Sequence, residues 1–319
     1  MRNQDVAHAL LRAVSALVPT LVLTVTLNAA TFYVTVAGLG GEPDYEQRFT
    51  SLAQEVDKLV RSNPDSKVTT LSGPQATKAQ IQSALGQIAK DAKPADALVM
   101  MLIGHGGFDG YEYKINLPGP DLSGVELAGL LDHIPATRQL IVNMTSASGG
   151  SRAALEKKGR VVITATKSGT EKNATVFARY WVEALRDPAA DTDKNETVSA
   201  LEAFNYANEK TAQFYDSQKR LATEHPTLED TGQGDGARKP SPENGQGLLA
   251  SRFSLLRLGS TPMAAATPEK KALLQKVEDL EEQIDKLKYE KAAMPEDAYK
   301  KQLADLLLQL AKAQAELDK

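Results

Sequence analysis

The sequence predicts an α/β fold built on a mainly parallel sheet, and three observations carry that expectation. Two apolar runs, Ala97-Leu98-Val99-Met100-Met101-Leu102-Ile103 and Gln139-Leu140-Ile141-Val142-Asn143, are continuous rather than alternating, as strands buried on both faces are. A segment with helical spacing, residues 122–134, lies between them and supplies the crossover that parallel neighbours need. Each run ends in a turn of small residues: Gly104-His105-Gly106-Gly107 after the first, Met144-Thr145-Ser146-Ala147-Ser148-Gly149-Gly150 after the second. In such sheets the functional crevice lies beyond the carboxyl ends of the strands.

The other elements follow in chain order. Thr31-Phe32-Tyr33-Val34-Thr35-Val36-Ala37 reads as the first core strand, and Gly38-Leu39-Gly40-Gly41 turns into a helix over residues 45–61, with Phe49, Leu52, Val56, Leu59 and Val60 at helical spacing. Asn63-Pro64-Asp65 stops it. Val68-Thr69-Thr70-Leu71 predicts a short strand, and Thr77 opens a helix through Ile81, Leu85 and Ile88. After the His105 turn, residues 111–117 alternate polar and apolar and predict a hairpin strand; Ser123 is placed to cap the next helix. Beyond Ser146, residues 151–155 read as a short helix and 160–166 as another buried strand. Residues 173–186 form a helix burying Phe177, Tyr180, Trp181 and Leu185. A helix over 198–220, a polar glycine-rich loop over 224–247 and a closing strand over 248–258 complete the domain.

The two ends are different in kind. Arg2 and Arg12 precede a short apolar stretch and then Asn28-Ala29-Ala30, the pattern of a secretory signal peptide over residues 1–30, cleaved after Ala29 or Ala30 and giving a periplasmic or secreted protein. The stretch is short of the ~20 residues of a spanning helix and contains Pro19, although a retained membrane anchor and a buried N-terminal helix are the alternatives. At the other end, residues 259–319 form a linker followed by two apolar stripes. Leu273, Val277, Leu280, Ile284 and Leu287 make the first; Tyr299, Leu303, Leu306, Leu310, Ala313 and Leu317 make the second, across Met294-Pro295-Glu296-Asp297. Matched stripes around a proline turn predict an antiparallel helical hairpin, or half of an intermolecular coiled coil available for self-association or a protein partner.

Composition narrows the function. The 319 residues are 42% hydrophobic and 24% charged, enough for one substantial core and an appendage. A net charge of -4 offers no footprint for nucleic acid. The absence of cysteine removes disulfides, thiolate catalysis and thiolate metal sites together.

A histidine and a hydroxyl cluster, each bracketed by glycines at the ends of neighbouring strands, are what a nucleophile-and-base site needs. The glycines let backbone amides approach a substrate and face a developing oxyanion. The order strand-Gly104-His105-Gly106, helix, strand, Ser146-Ala147-Ser148-Gly149-Gly150 resembles the caspase clan of cysteine peptidases, most closely its legumain-like branch, over residues 31–258. The resemblance implies a caspase-like three-layer sandwich with His105 in the catalytic dyad, and it places Ser146 where the family has its cysteine. It also implies an oxyanion site at the Gly106 and Ser146 amides and a peptide or protein as ligand. Glu171, in Lys167-Ser168-Gly169-Thr170-Glu171 at the same sheet edge, is a weaker candidate, more often an exposed helix-start carboxylate. His225, followed by Pro226 in the polar loop, reads as structural.

Residues 191–202 match the calcium-loop template of the EF-hand. Asp191, Asp193, Asn195 and Ser199 supply side-chain oxygens, Thr197 a carbonyl and Glu202 the last carboxylate. Glu196 stands where glycine makes the sharp turn, a departure costing roughly 1 kcal/mol or more. The alternative is a plain capped turn between helices.

A serine hydroxyl holds its proton far more tightly than a thiol and needs a well-oriented base, usually fixed by a third group. Asp109 is the carboxylate nearest His105 in sequence. Three functions stay open on these residues: a peptide-binding pseudopeptidase, a peptidase or esterase using Ser146 with His105, and a structural scaffold.

Overall fold

The computed structural model describes residues 29–63, 65–258, 267, scattered positions between 269 and 291, and 294–317. Most of the expected signal segment and the linker over 259–266 lie outside these described residues. In chain order the strands are Thr31–Ala37 (β1), Ser66–Leu71 (β2), Ala97–Ile103 (β3), Gly106–Phe108 (β4), Tyr113–Ile115 (β5), Leu122–Ser123 (β6), Arg138–Asn143 (β7), Arg160–Thr164 (β8), Thr197–Ser199 (β9), Thr227–Glu229 (β10) and Ser254–Arg257 (β11). The helices are Pro43–Val60 (α1), Lys78–Asp91 (α2), Gly124–Asp132 (α3), Arg152–Leu155 (α4), Phe177–Ala184 (α5), Ala200–Ser217 (α6), Leu248–Ser251 (α7) and Glu296–Leu317 (α8).

The main sheet has the order β10-β8-β7-β3-β1-β2, parallel except for β10 at one edge. Because side chains alternate along a strand, each strand feeds two cores. Tyr33, Val99, Met101, Leu140, Val142 and Ile163 meet Phe49, Val56, Trp181 and Phe204 of α1, α5 and α6 on one face. Phe32, Val34, Leu98, Met100, Ile141 and Val162 meet Ile81, Leu85, Leu127 and Leu131 of α2 and α3 on the other. Helices on both faces explain why β3 is apolar throughout and β7 is apolar over Leu140, Ile141 and Val142. The expected three-layer sandwich is therefore present.

Local signals agree with the elements they open. Thr77 accepts from the Gln80 amide at the start of α2. Ser123 forms a capping box with Glu126 at the start of α3, and Ser199 forms one with Glu202 at the start of α6.

Three expectations are corrected. The stretch over 248–258 does not close the main sheet: it begins as the short helix α7, and β11 pairs antiparallel with β9 in a separate two-stranded ladder. The edge strand is β10, inside the stretch expected to be loop; the polar Glu229 on it is fully buried with its carboxylate tied to the Thr231 and Gly232 amides. Residues 173–176 precede rather than begin α5, whose first turn instead binds a buried glutamate from elsewhere in the chain. At the C-terminus, Val277 and Leu280 pack against Ala313, with Leu306, Leu310 and Leu317 around them, so the two apolar stripes face each other.

Candidate active site

The strand register brings the turns after β1, β3, β7 and β8 to one edge. Ala37 pairs with Ile103, Leu102 with Asn143, and Asn143 with Thr164. The chain leaves β1 for β2 on one side and returns to β3 on the other, so the crevice of this sheet opens between β1 and β3. His105 follows β3 and meets the first turns of α1, the helix that follows β1.

The imidazole lies edge-on to Tyr45 and Phe49, with ring centroids 4.7 and 5.1 Å away. Burial pushes its pKa down and outweighs a hydrogen bond to the Gly40 backbone; Arg48 lowers it further while Glu42 opposes. His105 is therefore neutral at pH 7, the protonation state of a base.

Ser146 is only 2% exposed. Its hydroxyl donates to the Gly106 carbonyl at 3.1 Å and accepts from the Gly106 amide at 3.0 Å. The structure thus brings Ser146 to Gly106, but no hydrogen bond joins Ser146 to His105 among the described residues. Gly106 has to be glycine: a Cβ there would lie 2.7 Å from both the Ser146 carbonyl oxygen and Tyr113 Cε2. The β4–β5–β6 hairpin closes the turn from above. Phe108 presses between Gly150 and Gly169, where added Cβ atoms would meet its ring at 2.7 and 2.3 Å. Ala147, next to Ser146, holds a left-handed φ of 54° while fully buried, a strain of about 1 kcal/mol or more.

A buried polar network sets this turn. Tyr113 Oη lies 2.5 Å from Thr145 Oγ1 and donates to Asn143 Oδ1 at 3.2 Å; Thr145 Oγ1 also reaches the Ser146 carbonyl at 3.1 Å. Asn143 Nδ2 donates to Ser151 Oγ, which donates to the Ser148 carbonyl. Desolvation pushes the Tyr113 phenol up to about 12, so it stays a neutral donor. Asp109 does not orient His105: its carboxylate accepts from the Tyr111 and Glu112 amides at the exposed hairpin turn.

The structure adds a pairing that nothing in the sequence connects. The Glu171 carboxylate is in hydrogen-bond contact with His225 Nδ1 and accepts from the Lys167 and His225 amides, while its carbonyl accepts from the Ala147 amide at 2.8 Å. Glu171 is thus not an exposed helix-start carboxylate; together with His225 it fastens the turn beside Ser146. The buried neighbour Glu224 binds the Val176 and Phe177 amides at the start of α5 and accepts from Tyr215 Oη.

No protein-family model matches the chain, and no curated protein matches it. Solved structures do. The chain is similar to caspase-1 of Spodoptera frugiperda, with 15% identity and a TM-score of 0.44 over 64% of this chain and 87% of that one. It is similar to the Drosophila initiator caspase Dronc, with 10% identity and a TM-score of 0.42 over 64% and 80%. A structural-genomics protein from Geobacter sulfurreducens gives 13% identity and a TM-score of 0.43 over 65% and 94%.

The acidic loop lies far along the chain from these turns. Asp191, Asp193 and Glu202 each offer a carboxylate oxygen, all within 4.8 Å of one another. Lys194 and Glu196 both adopt left-handed φ, 64° and 63°, so the turn expected to need glycine forms without it, and the Glu196 amide is held by Asp191 at 3.0 Å. Asn195 Oδ1 accepts from the Thr197 amide. The Ser199 hydroxyl is spent in the capping box, donating to Glu202 Oε2 at 2.8 Å. The three carboxylates are a hard-oxygen donor set suited to Ca²⁺.

Proposed function

We propose that this chain is a caspase- or legumain-like pseudopeptidase, a protein that holds a peptide or protein segment at the carboxyl edge of its sheet without cleaving it. One observation carries the reading. The Ser146 hydroxyl, which the sequence resemblance aligns with the family nucleophile, is buried, and both of its hydrogen bonds go to the backbone of Gly106. Nucleophilic catalysis by serine requires a base in hydrogen-bond reach of the hydroxyl. Here the neutral His105 ring instead packs against Tyr45 and Phe49, and the amide that would serve an oxyanion, Gly106 N–H, is occupied by the serine itself. The hydroxyl acts as a pin between two turns.

The test is hydrolysis across a diverse fluorogenic peptide library by the parent, Ser146→Ala and Ser146→Cys. The reading expects no turnover by the parent above that of Ser146→Ala. Turnover abolished by the alanine substitution would establish instead the Ser146–His105 hydrolase. Activity appearing only with Ser146→Cys would show that base and oxyanion donor persist without a competent nucleophile.

The convergence of Asp191, Asp193 and Glu202 supports a second proposal, that the 191–202 loop holds a calcium ion. The ion would neutralise three clustered carboxylates and fix the start of α6 against β9, a structural role at a distance from Ser146. Thermal stability with and without Ca²⁺ after chelation tests it.

A further inference from the structure

The amino-terminal edge of the sheet, opposite the Ser146 turn, carries a buried carboxylate. Asp96 lies in the turn between α2 and β3 and is 5% exposed. Its Oδ2 accepts from the Lys93 amide at 2.8 Å and closes that turn. Its Oδ1 accepts from the Ala30 amide at 2.8 Å, 66 positions away in the chain. No lysine, arginine or histidine side chain pairs with Asp96 among the described residues. Burying a carboxylate without a countercharge is costly even when its oxygens are hydrogen-bonded.

Ala30 is the residue before β1, and its neighbours hold it in register. Its carbonyl accepts from the Ala97 amide at 2.9 Å, and the next amide, Thr31 N–H, donates to the Asp65 carbonyl at 3.2 Å. Ala30 also ends Asn28-Ala29-Ala30, where the sequence expects cleavage after one of the two alanines. The two bonds lead to different termini. Hydrolysis after Ala29 puts the new α-ammonium on the Ala30 nitrogen, the atom already 2.8 Å from Asp96 Oδ1. Hydrolysis after Ala30 puts it on the Thr31 nitrogen, which faces a neutral carbonyl, and deprives Asp96 Oδ1 of its donor.

We propose that the chain is cleaved between Ala29 and Ala30 and that Asp96 binds the new N-terminus. The C–N bond breaks; water gives its hydroxyl to the Ala29 carbonyl carbon and a proton to the Ala30 nitrogen. The carboxyl proton then passes to the amine, leaving a carboxylate and an ammonium. The catalyst is a separate endopeptidase that takes a small residue before the bond. Ala30 is half-buried, so the remaining ammonium protons stay in reach of water. The resulting ion pair ties the start of β1 to the turn before β3 and exists only in the cleaved chain. It is independent of any chemistry at Ser146.

The test expresses the full-length chain in an export-competent bacterium and reads the N-terminus of the exported protein by intact mass and sequencing. The expected first residue is Ala30; a chain that keeps Met1, or begins at any other residue, overturns the proposal. A second measurement follows acylation of that α-amine across pH, in the folded chain and in urea. A neighbouring carboxylate favours the ammonium over the reactive free amine, so the midpoint of the folded profile should lie higher, with a rate about tenfold lower at about pH 7. Simple shielding would slow the reaction at every pH without moving the midpoint. Asp96→Asn should bring the midpoint back toward that in urea. An unmoved midpoint in the parent, or a raised midpoint that persists in folded Asp96→Asn, overturns the role of Asp96. Should Asp96→Asn fail to fold, the parent's first residue and its two profiles decide by themselves.

Discussion

Replacing Ser146 by alanine separates a pin from a nucleophile. The hydroxyl satisfies both backbone groups of Gly106, at 3.0 and 3.1 Å, in a position 2% exposed. Removing it leaves a donor and an acceptor without partners. Each unsatisfied buried group costs about 1–3 kcal/mol, and because Gly106 is only half-buried and water recovers part of that, the net loss is about 2 kcal/mol. For a domain of this size the loss corresponds to a fall in Tm of about 4–8 °C. Calorimetric melting of the parent and Ser146→Ala under the same buffer measures it, with peptide hydrolysis run on the same samples. A change under about 1 °C would refute the structural role of the hydroxyl. A well-folded alanine variant that had lost parental turnover would refute the pseudopeptidase reading altogether.

Other outcomes follow from the same geometry. Gly106→Ala should lower Tm by more than Ser146→Ala, because its Cβ meets backbone and a buried ring rather than a flexible chain end; solubility and melting report it. Burial pushes Glu224 up to about 7 from 4.5, so the folded state keeps a proton that the unfolded chain releases in that window. Stability should therefore fall as pH rises from about 4.5 to 7, and Glu224→Gln should flatten the fall, as read by denaturant titrations across that range. Calcium added after chelation should raise Tm, and Asp193→Asn should reduce the rise.

Much of the frame was legible before any coordinates. Strands β3 and β7 are apolar on both faces because helices cover both faces, so their runs announced a parallel sheet, and the glycines around His105 and Ser146 marked its carboxyl edge. The cap at Ser123, a local motif, was equally visible, whereas Ser199, read as a calcium-loop ligand, proved to be the cap of α6. β10 was not, because its three residues sit among glycines and carboxylates and become a strand only by pairing with β8.

The sequence by itself determined which residues stand at the sheet edge and that no thiol is available to act there, since strand order and composition are written along the chain. Only the tertiary structure decided what those residues touch. That Ser146 bonds Gly106 and not His105, that Glu171 pairs with His225 from 54 positions away, and that Asp96 receives the Ala30 amide all depend on contacts between segments distant in sequence. Side-chain direction in a turn is set by whatever packs against it, here Phe108, Tyr45 and Phe49, and no local pattern encodes that.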